Sequence, residues 1–252
     1  MEQTINVGAL LSPPDILQFK RVLCVQPHPD DNEIGMGGTI AVLAQNGCEV
    51  HYLTTTKSEM GGGILDTTTD ELAIIRREEA QAAGRLLGAT GFHFFDYGDG
   101  TLSDVPKLSE EIADVIRQVK PDIIFCPDPW LPYEAHWDHI VTGQAVSNAM
   151  VMSGLVMKKL PSGADPWIVS AIAYYFTANP NTVIDITNTF EQKFEAIALH
   201  KSQIDEKTLA MFRIYFTMKG QELALDKGFS LGEGFKVLGK LHTHCFVDAY
   251  KI

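Results

Sequence analysis

A chain of 252 residues, 45% of them hydrophobic, holds enough apolar side chain for one sizeable core and reads as one domain over 1–252. Its 32 acidic residues against 20 basic ones give a net charge of -12 with no basic cluster to offset it, which argues against a nucleic-acid or membrane-surface partner. No apolar run reaches the roughly 18 residues of a membrane span, and the start MEQTINVGALLSPP lacks the features of a secretory leader. The four cysteines, Cys24, Cys48, Cys126 and Cys245, form no CxxC pair, and three sit in or beside apolar runs. They read as reduced thiols of a cytoplasmic protein.

Residues 1–20 read as an N-terminal arm with a short helix over 14–20. An apolar strand over 22–26 stops at Pro27-His28-Pro29-Asp30-Asp31, and a helix follows over 37–46, ended by Asn46-Gly47. The two prolines stiffen the turn, since each fixes its own φ and restrains its neighbour. A second strand over 49–54 leads to a loop over 55–70 that holds three consecutive glycines, 61–63, suited to a flexible lid or a close backbone approach. The spacing predicts a helix over 71–87 closed by Gly88, a strand over 92–95, the turn Tyr97-Gly98-Asp99-Gly100, a helix over 108–119 and a strand over 123–126 bounded by prolines. The loop DPWLPYEAHWDH comes next, followed by a helix over 140–155, strands over 171–176 and 182–186, and a helix over 189–200. The segment 219–252 has glycines at 228, 232, 234 and 239 and is expected to be irregular, with one short strand. Short apolar strands alternating with helices predict an α/β fold with a mostly parallel central sheet covered on both faces.

His28 and Asp31 stand three apart at the end of the first strand, and His136 and His139 three apart after the 123–126 strand. Strand ends of a parallel sheet are where such folds place ligands. Two histidines and one carboxylate, with a fourth position left to water, make a common catalytic zinc set, and zinc lowers the pKa of a bound water to about 7. A spare carboxylate, Asp30, can then act as a general base, and a spare imidazole, His136, can face a developing oxyanion. Taken singly, these residues also have plain readings. Asp-Asp suits a turn, Asp31 and Glu33 suit the start of a helix, and Arg76 suits a surface ion pair with Glu78 or Glu79.

PHPDDNEIGMGG, RREEAQAAGRLLG, GDGTL and HWDH, in this order, resemble the LmbE/PIG-L family of zinc-dependent N-acetyl-sugar deacetylases, and the likeness runs from about residue 22 to residue 248. CPDPWLPYEAHWDH, the segment 183–187, HKSQ at 200–203 and GEGF at 232–235 are similar to the diacetylchitobiose-type members. The resemblance implies a Rossmann-like three-layer sandwich that hydrolyses the acetamide of GlcNAc or diacetylchitobiose. It implies His28, Asp31 and His139 as zinc ligands, Asp30 as general base, His136 as the oxyanion stabiliser and Asp138 as its orienting carboxylate. Arg76 and Asp99 match sugar contacts, and His242, or His244 two residues on, matches a histidine that reaches a neighbouring subunit. Trp130 and Tyr133 offer faces for stacking on a sugar or for packing on a neighbouring subunit, and Trp137 offers a wall to the sugar site. A homohexamer follows from the same likeness. No GxGxxG follows the first strand, so no dinucleotide is expected.

Trp137 departs from the family pattern, standing where proline is usual. Other readings stay open: a deacetylase of a GlcNAc-malate or GlcNAc-inositol conjugate, a zinc amidase on another small molecule, or a non-catalytic sugar-binding protein on the same scaffold. Fe2+ or another divalent ion suits such a mixed nitrogen and oxygen donor set as well as Zn2+.

Overall fold

The structure, a computed structural model, describes residues 12–61 and 64–252. The first eleven residues of the expected arm, and Gly62 and Gly63 of the glycine run, lie outside the described residues. Of the short helix expected over 14–20, a 3-10 turn at Ile16–Gln18 forms, anchored by buried Ile16.

Seven strands form one sheet in the order β3-β2-β1-β4-β5-β7-β6. They are β1 (Arg21–Gln26), β2 (Glu49–Thr56), β3 (Gly91–Tyr97), β4 (Ile123–Pro127), β5 (Ala171–Tyr175), β6 (Thr182–Asp185) and β7 (Gly232–Gly239). The first five in chain order pair parallel, and β7 runs antiparallel between β5 and β6. The helices are α1 (Asp31–Gln45), α2 (Thr69–Leu87), α3 (Val105–Val119), α4 (Trp137–Ser153), α5 (Phe190–Ile197) and α6 (Glu206–Leu223).

Alternate residues of each strand face opposite sides of the sheet. Val22 and Cys24 of β1 join α1, α2 and α5 in one core, while Leu23 and Val25 join α3 and α4 in the other. Three layers result, as the alternating pattern predicts. Cys24, Cys48 and Cys126 are buried and Cys245 is exposed, and none is in a disulfide.

Two differences from the sequence reading matter for the site. Helix begins at Asp31, earlier than the expected residue 37, but breaks at Met36, whose φ of -152° leaves the helical region. The Glu233 carboxylate closes the break by accepting the N–H groups of Gly38 (3.1 Å) and Thr39 (2.7 Å), and Lys193 Nζ holds it at 2.6 Å.

The second difference is a correction at the C-terminal end. The segment 219–252 does hold one strand among turns and 3-10 stretches, but α6 runs into it as far as Leu223, and the strand, β7, is eight residues long and lies inside the sheet. Its glycines mark close packing, since a Cβ at Gly232 would meet Val183 at 2.5 Å and one at Gly234 would meet Pro180 at 3.1 Å. α6 itself escaped notice because its apolar residues spread around the helix. Phe212 and Phe216 pack on the core, whereas Met211, Ile214 and Met218 stay exposed.

Candidate active site

β1 and β4 are neighbours, so the turn after β1 and the loop after β4 meet at one end of the sheet. The β1 turn is tight. Asp31 Oδ2 accepts the His28 N–H at 2.9 Å, and Asp30 sits at φ 111°, a left-handed conformation rare outside glycine. From the other side, the buried Arg76 of α2 donates to the carbonyls of Pro29 (2.8 Å) and Ser58 (3.2 Å) and to Asp30 Oδ2 (3.3 Å). Arg76 is therefore no surface ion pair with Glu79, whose carboxylate instead accepts both the N–H and the hydroxyl of Ser202.

The β4 loop brings His136 and His139 onto His28, with ring centroids 4.5 and 5.5 Å away. Asp31 lies between the outer two imidazoles, Oδ2 at 3.3 Å from His28 Nδ1 and Oδ1 at 3.3 Å from His139 Nε2. On the far side of His28, Nε2 stands 3.2 Å from both Asp99 Oδ1 and Asp138 Oδ2. Asp138, expected to orient His136, makes its hydrogen bonds to His28 and to the N–H groups of Gly100 (2.7 Å) and Leu102 (3.3 Å).

The charges explain what such a cluster can hold. Four carboxylates, of Asp30, Asp31, Asp99 and Asp138, surround three imidazoles. Burial alone would depress His28, but hydrogen bonds with Asp138, Asp31 and Asp99 outweigh it and raise it to about 11. Burial would raise Asp31, yet His139 and His28 hold it well below the usual carboxylate range. Burial, helped by Asp31 and opposed by Arg76, pushes Asp30 up to about 6. His136 is lowered by desolvation and by His28 and His139.

The donors fit a small divalent ion. Two ligand atoms each ~2.1 Å from a tetrahedral ion lie roughly 3.3–3.4 Å apart, the spacing Asp31 Oδ2 keeps from His28 Nδ1 and, separately, Asp31 Oδ1 keeps from His139 Nε2. Ligand atoms of His28, His136 and His139, and of His28, Asp99, His136 and Asp138, also fall within 4.8 Å of one another.

Not every residue singled out in the sequence converges here. Trp137 is exposed beside His136. Trp130 and His242 line a different cavity of about 910 Å³ with Tyr174 and Lys236, and His244 lines it too. Tyr133 is fully exposed. Three contributions were missed. Glu134 accepts the His136 N–H at 2.7 Å and places Oε2 3.5 Å from His139 Nδ1, and the polar spacing YEAHWDH was the available signal. Phe176, at φ 54° just past β5, stacks on His139 with centroids 6.1 Å apart. Beneath the turn, His200 Nε2 meets Glu33 Oε2 at 3.1 Å, and the Tyr52 hydroxyl donates to Glu33 Oε1 at 2.8 Å. Nothing local in the sequence marks Phe176, and although His200 opens the HKSQ segment and Glu33 stands at the helix start, no spacing pairs the two.

The profile of the PIG-L family, described as GlcNAc-PI de-N-acetylase, matches residues 23–150, from β1 into α4. A diacetylchitobiose deacetylase of Thermococcus kodakarensis is 36% identical over 92% of this chain and 88% of its own. The chain belongs to the PIG-L family. The solved N,N'-diacetylchitobiose deacetylase of Pyrococcus horikoshii, complexed with its inhibitor MPG, superposes with a TM-score of 0.86 at 35% identity, covering 93% of this chain and 90% of that one. A 1D-myo-inositol 2-acetamido-2-deoxy-alpha-D-glucopyranoside deacetylase of Kineococcus radiotolerans is 29% identical over 68% of this chain and 56% of its own. The PIG-L match thus spans both loops that build the His28 cluster.

Proposed function

We propose that this PIG-L member is a zinc-dependent N-deacetylase that hydrolyses the acetamide of a small N-acetylglucosamine-type sugar, GlcNAc or diacetylchitobiose. The observation that carries the reading is Asp30. It stands next to the Asp31 that bridges His28 and His139, is fixed by Arg76, and is raised to about 6. A site built only to hold a metal has no use for such a carboxylate.

His28, Asp31 and His139 would hold the ion. When bound, it supplies a Lewis acid for the acetyl oxygen and acidifies a water. Asp30 takes the proton from the attacking water and returns it to the departing amine. His136, held neutral, donates an N–H to the oxygen that gains charge as the carbonyl carbon becomes tetrahedral. Asp138 fixes the His28 ring from its far nitrogen, the arrangement that commonly orients a ligating imidazole. The sugar lies on the Arg76 and Asp99 side with Asp30 facing its nitrogen, and Trp137 forms a wall beside His136.

We read 1–252 as one catalytic domain that works in the cytosol, with a role in chitin degradation. The homohexamer implied by the family likeness belongs to this proposal, as does a neighbour-reaching role for His242. No helix among the described residues is long and apolar enough to cross a membrane.

An acetate-release assay of the zinc-loaded protein tests the reading. Release is expected from GlcNAc or diacetylchitobiose and to be faster than from GlcNAc-malate or GlcNAc-inositol. Acetate from none of these sugars refutes it.

A further inference from the structure

A cavity of about 540 Å³ opens directly off the cluster, with Asp31 and His139 in its wall. Asp30, Arg76, Asp99 and His136 are not part of that wall. The metal-ligating residues therefore divide two spaces: a charged one toward Asp30 and Arg76, and this cavity on the side of β5, β7 and α6. Phe176, stacked on His139, stands at the boundary.

The cavity is lined by hydrocarbon, chiefly Phe176, Ile186, Phe190, Phe216 and Leu223. Most of its charged side chains already pair within the chain. Lys193 pairs with Glu233 at 2.6 Å and lies over the Phe216 ring at 4.5 Å, and Lys219 pairs with Glu222 at 3.0 Å. Glu134 accepts from His136, and Thr177 from the Asn179 N–H. A sugar here would find few free hydrogen-bonding partners, whereas an alkyl chain needs none. Tyr215 lines the cavity, and Met211 and Met218, one turn to either side on α6, are exposed at 57% and 66%, so an apolar rim borders it.

Stereochemistry sets which part of a substrate points this way. The proposed reaction directs the amide nitrogen, and hence the sugar, toward Asp30. The remaining substituent of the tetrahedral carbon, the acyl chain, then projects toward the opposite side. An acetyl methyl is comparable to one water, roughly 30 Å³, so it fills a small fraction of about 540 Å³. A cavity of this size falls in the range of roughly 300–1,000 Å³ found for pockets that bury a whole organic ligand.

We infer that this cavity is the acyl pocket of the same site, and that the chain hydrolyses N-acyl amino sugars bearing medium-length chains, of four to eight carbons, as well as acetamides. The inference rests on the deacetylase reading above. The step is the same hydrolysis: water oxygen bonds to the acyl carbon, the C–N bond breaks, and the water's proton passes to the nitrogen, leaving a fatty carboxylate and a free amino sugar.

Kinetics on N-acetyl-, N-butyryl- and N-hexanoylglucosamine test it. Burial of each added methylene is expected to raise kcat/KM by about two- to fourfold. Calorimetry on the Asp30→Asn protein adds a readout independent of turnover: the hexanoyl compound binds with a more negative heat-capacity change than the acetyl one. Leu223→Trp, which fills the cavity, lowers the hexanoyl-to-acetyl ratio about tenfold or more, and a ratio taken within one protein is insensitive to partial misfolding.

Hydrolysis of the acetyl compound with hexanoyl turnover about a hundredfold poorer overturns the inference and leaves the deacetylase reading standing. The same holds if diacetylchitobiose outruns GlcNAc about tenfold while hexanoyl activity is absent, which assigns the cavity to a second sugar. Failure on every N-acylglucosamine, the acetyl one included, overturns both.

Discussion

At Asp30 a left-handed backbone, a buried arginine and a carboxylate near pKa 6 meet in one residue. Asparagine tolerates that backbone and preserves the shape of the side chain, so Asp30→Asn isolates the proton transfer. We expect full metal content by elemental analysis with kcat lower by about 10²–10⁴, the usual worth of a general base. Normal turnover in a metal-replete sample removes Asp30 from that role. His139→Ala should do the reverse and lose the ion itself, and full occupancy in that variant would contradict its place among the ligands. His28, Asp30, Asp31, His136 and His139 were legible in the sequence because they crowd into two proline-bounded polar turns. Phe176 and the His200–Glu33–Tyr52 chain were not, since each is contributed by an element whose local pattern is simply apolar or helical.

Among the elements, α1 has the most unusual construction. Its first turn carries Asp31, its remainder packs in the core, and the break between them at Met36 is stitched by Glu233 from β7. Removing one partner of a buried ion pair is strongly destabilising, about 3–5 kcal/mol. Glu233→Gln leaves the buried Lys193 ammonium without its counter-charge, so a loss of that order is expected in urea unfolding, and a midpoint within error of the unaltered protein would contradict the stitch. The βα alternation up to β4 could be read from the sequence, because the strands are short apolar runs and α2 and α3 are amphipathic. Beyond α5 the reading fell short for physical reasons. Glycines of β7 that look like loop residues permit close strand packing, and α6 has no clean polar face to betray it.

For the molecule as a whole, two cores flank one sheet, and the pair His200–Glu33 lies fully buried on the α1 side. Burial would lower His200, but the hydrogen bond and charge of Glu33 prevail and raise it. The unfolded imidazole titrates near 6.5, so the extra proton of the folded state stabilises fully below about that pH and loses its effect as pH rises through the raised value. The stability gap between the unaltered protein and His200→Gln should therefore narrow as pH rises above about 6.5. A gap that widens over that range would show that His200 is folded in its neutral form.

Chain order gives the Glu233 stitch one more meaning. The residues proposed to hold the cation precede β7 in the chain, with His28 and Asp31 in the strand–helix unit of β1 and α1, but the carboxylate that completes α1 comes from β7, the last strand of the sheet in chain order. If the proposed ligands hold a metal, a chain halted before β7 would carry them on an unfinished helix, and metal capture would be coupled to the insertion of that strand. A ribosome-bound chain arrested short of residue 233 should accordingly take up little metal, however many of its histidines have emerged.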